Sequence, residues 1–293
     1  MAAQGLKVPT GMDGAGTLFV VATPIGNLED ITLRALRVLK EVDLIAAEDT
    51  RRTRKLLTHY GLSTPLMSYH AHNQAVRGPE LLRRLKDGQS LALVSDAGTP
   101  GFSDPGADLV AQAWEAGVQV EAVPGAAAGV AALSMSGFKG DVTFLGFLPR
   151  GEGKRRQMLE GLAQEPRVLI IYESPKRLVR SLTEVAEIMA NRQVLVVREL
   201  TKKFAQTWRG PVAEVAARLT AAGELKGECA LVLSCPKGGR GPVVEVRDYL
   251  LRAAKESGLQ GRRLAQRVAG ELNLPRRQVY QAYLALKAQG RLA

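Results

Sequence analysis

Three loops restrict this chain more than any other feature. Thr23-Pro24-Ile25-Gly26-Asn27-Leu28, Glu48-Asp49-Thr50-Arg51 and Ser95-Asp96-Ala97-Gly98-Thr99-Pro100 each leave the end of a short apolar run. The runs, Leu18 to Ala22, Val42 to Ala47 and Leu91 to Val94, have strand character. In an open α/β sheet, ligands bind in the crevice outside the carboxyl ends of the strands. Three neighbouring exits made of small residues and carboxylates therefore sketch one shared pocket.

The segments between these runs agree with that reading. Ile31, Ala35, Leu36, Val38, Leu39 and Val42 recur at helical spacing, with Asn27 and Asp30 placed like a capping pair. Thr50 to His59 is expected as a helix stopped by Gly61, Pro65 to His70 as a strand, and Glu80 to Lys86 as a helix closed by Gly88. Ala107 to Ala116 continues as helix after a long loop, and Val118 to Val123 reads as a strand ending at Pro124-Gly125. The alternation predicts an N-terminal α/β domain with a doubly wound sheet over residues 17–124, behind a flexible tail of residues 1–16.

Later strand-like runs are Thr143 to Leu148, Val168 to Tyr172, Val194 to Arg198 and Ala230 to Leu233, with a shorter candidate at Phe204 to Arg209. Helical patterns at Lys154 to Gln164, Pro175 to Ala190 and Pro211 to Ala221 separate some of them. These predict a second α/β domain, residues 125–235, whose mixed sheet forms the other wall of the cleft. Residues 236–242 have the composition of a linker. Residues 243–293 read as a small basic helix-turn-helix-like module, with Leu264, Val268, Leu272 and Leu274 before Pro275-Arg276-Arg277 and a second helix.

Charge narrows the partners. The formal net charge is +11 over 293 residues. From Arg240 onward eleven Lys or Arg face four acids, so most of the excess sits in the last module. Such a surface gains free energy by replacing the counterions of a polyanion, and one sign of charge on a terminal module is the footprint of a nucleic-acid partner. Arg51, Arg52, Arg54 and Lys55 form a second cationic run, straight after a pocket loop, that suits RNA phosphate. Cys229 and Cys235 lack metal-type spacing and read as reduced thiols. His59, His70 and His72, the only histidines, have no cysteine cluster beside them, so no metal site is expected. No stretch approaches the length of a membrane span, and the first residues lack a secretory pattern. A cytoplasmic protein without a membrane partner is the expectation.

The residues of the three loops also carry a resemblance. Gly16-Thr17, Val20-Val21-Ala22-Thr23-Pro24-Ile25-Gly26-Asn27-Leu28, Ala47-Glu48-Asp49-Thr50-Arg51 and the stretch from Ser95 to Gly106 resemble the bacterial small-subunit ribosomal RNA (cytidine-2′-O-)-methyltransferases, the methyltransferase I family of the tetrapyrrole methylase superfamily. Gly146-Phe147-Leu148-Pro149, Tyr172-Glu173-Ser174-Pro175 and Arg198-Glu199-Leu200-Thr201-Lys202 extend the likeness to about residue 235, with the basic tail besides. It implies a two-domain tetrapyrrole-methylase-like fold, S-adenosylmethionine as methyl donor, 16S ribosomal RNA in the small ribosomal subunit as partner, and a homodimer. Ala126-Ala127 stand where relatives usually have proline and serine, Lys176 where a histidine is common, and Phe204-Ala205-Gln206 lacks the usual acid.

The chemistry of that donor suits the loops. It offers an adenine, a ribose diol, an amino acid end and a sulfonium but no phosphate, so its site needs carboxylates and open backbone rather than a phosphate loop. Glycine-rich dinucleotide and Walker signatures are both missing. The resemblance makes Pro24, Gly26, Asp49, Asp96, Ala97, Gly98, Ser103, Asp104, Pro124 and Gly125 the cofactor-binding residues, with Tyr172 and Ala230 from the second domain. Candidates for the chemistry at the mouth are Glu48, Asp49, Arg51, Glu173, Arg198, Glu199 and Lys202. Among them Glu173 is favoured for orientation or proton acceptance, and Arg51 and Lys202 for contact with phosphate or oxyanion. Two alternatives remain open at this point: a methylase acting on a small tetrapyrrole, and a non-enzymatic nucleic-acid binder.

Overall fold

The computed structural model describes residues 14–223, 225–236, 246–272, 274 and 276–292. Residues 1–13 of the expected tail and the expected linker beyond Pro236 lie outside them. The chain divides into two compact units. One comprises the residues up to Ser134 together with Val197–Gln206, the other Met135–Val196 and the residues from Thr207 onward.

The first unit holds a five-stranded parallel sheet in the order β3-β2-β4-β1-β5, formed by β1 (Thr17–Val21), β2 (Leu44–Ala47), β3 (Leu66–Ser68), β4 (Leu91–Val94) and β5 (Gln119–Val123). Apart from Thr17 at the start of β1, its central strands are apolar because both faces are covered, the normal state of a parallel sheet. Phe19, Val21, Ile45, Ala47, Ala92 and Val94 pack on one side with Ala35, Val38 and Leu39 of α1 (Leu33–Glu41) and Leu57 of α2 (Thr50–His59). Leu18, Leu44, Ala46, Leu91 and Leu93 pack on the other with Leu81 and Leu85 of α3 (Gln74–Lys86) and Leu109 and Ala113 of α4 (Ala107–Glu115). The alternation of side chains along each strand thus feeds two cores at once.

Three local expectations differ from the structure. Asn27 does not cap α1; its side chain accepts from Glu29 N–H at the head of a short 3-10 turn, Leu28–Asp30, and Thr32 caps α1 by accepting from Ala35 N–H. The third helix begins at Gln74, not Glu80, and contains Pro79. Proline there leaves the carbonyl of Ala75 without an amide partner, but both residues are exposed, so solvent reaches that oxygen. The third difference is α5 (Ala128–Ser136), which gave no period because its nine residues are all small or apolar apart from serines.

The second unit is built on a mixed sheet ordered β6-β7-β10-β8-β9, from β6 (Val142–Phe147), β7 (Val168–Glu173), β8 (Gln193–Arg198), β9 (Gln206–Pro211) and β10 (Cys229–Leu233). Strand β7 runs parallel to β6 and antiparallel to β10. Helices α6 (Glu152–Gly161), α7 (Pro175–Ile188) and α8 (Val212–Ala221) contribute Leu159, Leu178, Leu182, Val215 and Leu219 to its core. A separate small core, including Leu250, Leu264, Val268, Val279 and Leu286, joins α9 (Val246–Ser257), α10 (Gly261–Glu271) and α11 (Arg276–Ala288). Among the described residues no helix is long and apolar enough to cross a membrane.

Candidate active site

The carboxyl ends of β1, β2, β4 and β5 lie along one edge of the parallel sheet, and the loops that leave them are tied to one another. Thr23 and Gly98 exchange two backbone hydrogen bonds, Thr23 N–H to Gly98 O at 2.8 Å and Gly98 N–H to Thr23 O at 3.0 Å. The buried Thr23 hydroxyl donates to Ser95 O at 3.4 Å. Asp96 N–H donates to Glu48 Oε2 at 3.1 Å, joining the loop after β4 to the loop after β2. Thr99 Oγ1 donates to Ala126 O at 3.3 Å, joining it to the segment after β5. Four exits are therefore tied together; the sequence singled out three of them, and the segment after β5 is the fourth.

Asp96 is the carboxylate of the loop after β4. Its Oδ2 pairs with Arg52 Nη1 at 3.2 Å, whereas Oδ1 is buried without a hydrogen-bond partner among the described residues. A carboxyl oxygen kept from water and without a partner among the described residues is costly, and functional sites are one place where such a cost is retained. The segment beyond it is also unusual: Gly98, Gly101, Ser103 and Gly106 all have positive φ, and for Ser103, at 73°, the left-handed backbone costs about 1 kcal/mol. Ala97 O accepts from Ser95 Oγ at 3.3 Å, and Asp104 follows Ser103 in the same bend. Pro124 and Gly125 leave β5 against β1, where a Cβ on Gly125 would lie 2.9 Å from that of Ala22.

Asp49 caps α2. Its Oδ1 accepts from Arg51 N–H at 2.8 Å, and its two oxygens take the Arg51 guanidinium at 3.2 and 2.9 Å. The bonds from Arg51 lower the carboxyl from 3.8 to about 2. A depressed carboxylate stabilises the fold above its unfolded value and loses that contribution as pH falls through the folded one, here between about 3.8 and about 2. Nuclear magnetic resonance of the Asp49 carboxyl should show a midpoint near 2; one near 3.8 would mean that the pair does not persist in solution.

Pro24 and Ile25 lead from the Thr23 bridge to Gly26, which meets the segment between β8 and β9. A Cβ at Gly26 would lie 2.7 Å from Lys202 Cγ and 2.8 Å from Thr201 Oγ1, so only glycine allows this approach. Lys202 Nζ is held by Glu199 Oε1 at 2.9 Å. Thr201 Oγ1 is buried without a partner among the described residues, as is His70 Nδ1 just beyond β3. Neither Thr201, His70 nor the Thr23 bridge was legible as a site feature in the sequence; only Thr23, straight after a strand and before proline, offered a local signal.

The remaining expected residues belong to the second unit. Tyr172 and Ala230 are cross-strand partners on β7 and β10, and the Tyr172 ring meets Phe144 and Phe147 edge-on at 5.1 and 5.7 Å. Glu173 ends β7 almost wholly buried. Its Oε1 accepts from Ser174 N–H at 2.7 Å and pairs with Arg177 Nη2 at 2.6 Å, while Oε2 accepts from Ser181 Oγ at 2.7 Å. It thereby fastens the start of α7 to the strand.

The family model for tetrapyrrole (corrin/porphyrin) methylases matches residues 17–216, the span that contains the first sheet and every strand of the second except β10. The chain belongs to the tetrapyrrole methylase family. This methylase is 47% identical over 280 residues to the ribosomal RNA small subunit methyltransferase I of Synechocystis sp., covering 94% of the chain and all of the relative. It is 48% identical over 220 residues to the protein of the same description from Thermotoga maritima, covering 75% of the chain but 98% of that relative. Among solved structures it resembles the uroporphyrin-III C-methyltransferase of Thermus thermophilus complexed with S-adenyl homocysteine, with a TM-score of 0.54 and 22% identity over 75% of the chain and 97% of that one. The last likeness concerns the fold alone.

Proposed function

We propose that the chain transfers a methyl group from S-adenosylmethionine to the ribose 2′-hydroxyl of a cytidine in 16S ribosomal RNA of the small ribosomal subunit, acting in the cytoplasm as a homodimer. The observation that carries this reading is the near-complete match to a ribosomal RNA small subunit methyltransferase I, which runs past the methylase fold into the basic helices at the end of the chain.

The loop residues fit the donor. When bound, it supplies an electrophilic methyl on a sulfonium. Asp96 Oδ1, buried and unpartnered, is suited to accept a hydrogen bond from a ribose hydroxyl or an ammonium group. Pro24, Gly26, Ala97, Gly98, Pro124 and Gly125 present backbone without bulky side chains, and Ser103 and Asp104 add polar contacts. Asp49 joins this set through the cap of α2, where it also aims Arg51.

Transfer to an oxygen is a displacement at carbon that needs acceptor, methyl and sulfur in line, so most of the acceleration comes from holding the reactants in that geometry. In this reading Arg51 and Lys202, each paired with a carboxylate, hold an RNA phosphate or stabilise negative charge developing on the sugar oxygen. Glu173, with its oxygens engaged by Ser174, Arg177 and Ser181, acts by positioning the β7–α7 turn.

Transfer of labelled methyl to purified small subunits tests the proposal against free tetrapyrrole as acceptor. The expected result is 2′-O-methylcytidine in 16S RNA and no labelled tetrapyrrole. Labelled tetrapyrrole without labelled RNA would establish the small-molecule reading, and no transfer to either would favour a plain binder. In sedimentation the chain should run as a dimer.

A further inference from the structure

A shallow groove follows α2 and is lined by Thr50, Arg51, Arg54, Lys55, Thr58 and His59. These positions are three or four residues apart, so they form one stripe along a helix about 15 Å long. The helix contains no acidic residue. The cations on it fall into two groups. Arg51 and Arg52 are neutralised by Asp49 and Asp96 at the rim of the candidate site. Arg54 and Lys55, one turn further, are exposed and make no ion pair among the described residues, and His59 continues the exposed stripe on the third turn. The stripe thus begins next to the cap residue of the site and leads away from it toward cations that make no ion pair among the described residues.

A second observation concerns where RNA is gripped. The methylase fold alone, from β1 to the end of β10, accounts for the length of the match to the Thermotoga maritima relative and leaves no room in that protein for α9 to α11. A protein described as a ribosomal RNA methyltransferase therefore manages without the basic C-terminal helices. Contact with RNA has to come, at least there, from the methylase fold.

We propose that the α2 groove is a docking track for the RNA backbone next to the methylated nucleotide, with Arg54 and Lys55 as its phosphate ligands and Thr58 and His59 continuing it. This deepens the RNA methyltransferase reading and rests on it. The paired arginines aim the site; the unpaired cations hold the strand that enters it. Phosphate contact without base contact also makes the track indifferent to sequence, so it positions the strand and leaves selection of the cytidine to other residues.

The test replaces Arg54→Gln and Lys55→Gln together in the full chain and measures binding to purified small subunits and to deproteinised 16S RNA across a salt series. Two lost single-strand phosphate contacts should lower the slope of log K against log salt by about 1.4 and weaken binding about tenfold at moderate salt. Calorimetric affinity for S-adenosylmethionine should be unchanged, and the Arg54→Lys, Lys55→Arg variant should bind RNA like the original chain. If the original chain methylates RNA and the glutamine variant keeps its affinity and slope, the track is overturned while the reading stands. Loss of subunit binding with unaltered binding to naked RNA would put a protein in the groove, and overturns it too. If the original chain methylates neither subunits nor naked RNA, the reading and the track fall together.

Discussion

Changing Asp96 to alanine is expected to weaken S-adenosylmethionine binding by about 10- to 100-fold, the equivalent of the roughly 1.5–3 kcal/mol carried by a hydrogen bond to a charged group. The argument rests on the two oxygens being used differently. Oδ2 has Arg52, a partner more than half exposed, and such surface pairs contribute at most about 1 kcal/mol. Oδ1 has nothing among the described residues and is shut away from water, so a donor from a ligand is what it lacks. Two measurements separate this from simple damage. Calorimetry should show the loss of affinity, whereas the ligand-free variant should melt little lower than the original chain, because the substitution gives up only a surface ion pair and removes a buried oxygen that has no partner among the described residues. Equal affinity in the two proteins would remove Asp96 from the site.

The largest effect on stability is expected at Glu184. Arg155, on α6, is only 1% exposed, and its guanidinium is bound by both oxygens of Glu184 on α7, at 2.7 and 2.5 Å. Two carbonyls, of Pro149 and Arg150, take the remaining nitrogen at 3.4 and 3.2 Å. The bond from Arg155 holds the Glu184 carboxyl below its ordinary value, so the pair stabilises at neutral pH and fades in acid. Glu184→Ala leaves a buried cation without the carboxylate that contacts it and should cost about 3 kcal/mol or more in urea unfolding. Arg155→Met with Glu184→Leu should recover most of that loss, since an apolar pair of similar volume removes the need for compensation. A single variant within about 1 kcal/mol of the original would show that the guanidinium finds water or another partner.

How much of this was legible follows from which interactions are local. The parallel sheet could be read because its three central strands, covered on both faces, are nearly continuous apolar runs, and because each of these is followed by a loop of small residues or carboxylates. The site edge followed from the same rule, since strand exits in such sheets converge. By contrast α5 has no polar face and so no period, and the proline-containing start of α3 imitates a loop. The place of β10 between β7 and β8 depends on pairing across long stretches of chain, for which no local signal exists. The approach of Lys202 to Gly26 is of the same kind: each residue looked like a candidate alone, but only the folded chain brings them together. Glu173 shows the reverse case, a residue singled out for chemistry whose oxygens the structure gives to its own turn.

Strand order has a further consequence for how the protein comes into being. Strand β1 is made first yet has as neighbours only β4 and β5, while β2 and β3 pair with each other. A chain emerging from its N-terminus can zip β2 to β3 early, but β1 must wait as an unpaired segment until β4 has been synthesised and inserted beside it. The Thr23–Gly98 bridge, which follows those two strands, forms with that insertion. On the proposed function, the nascent polypeptide is therefore incompetent to take a ligand at this edge before its central strand has arrived.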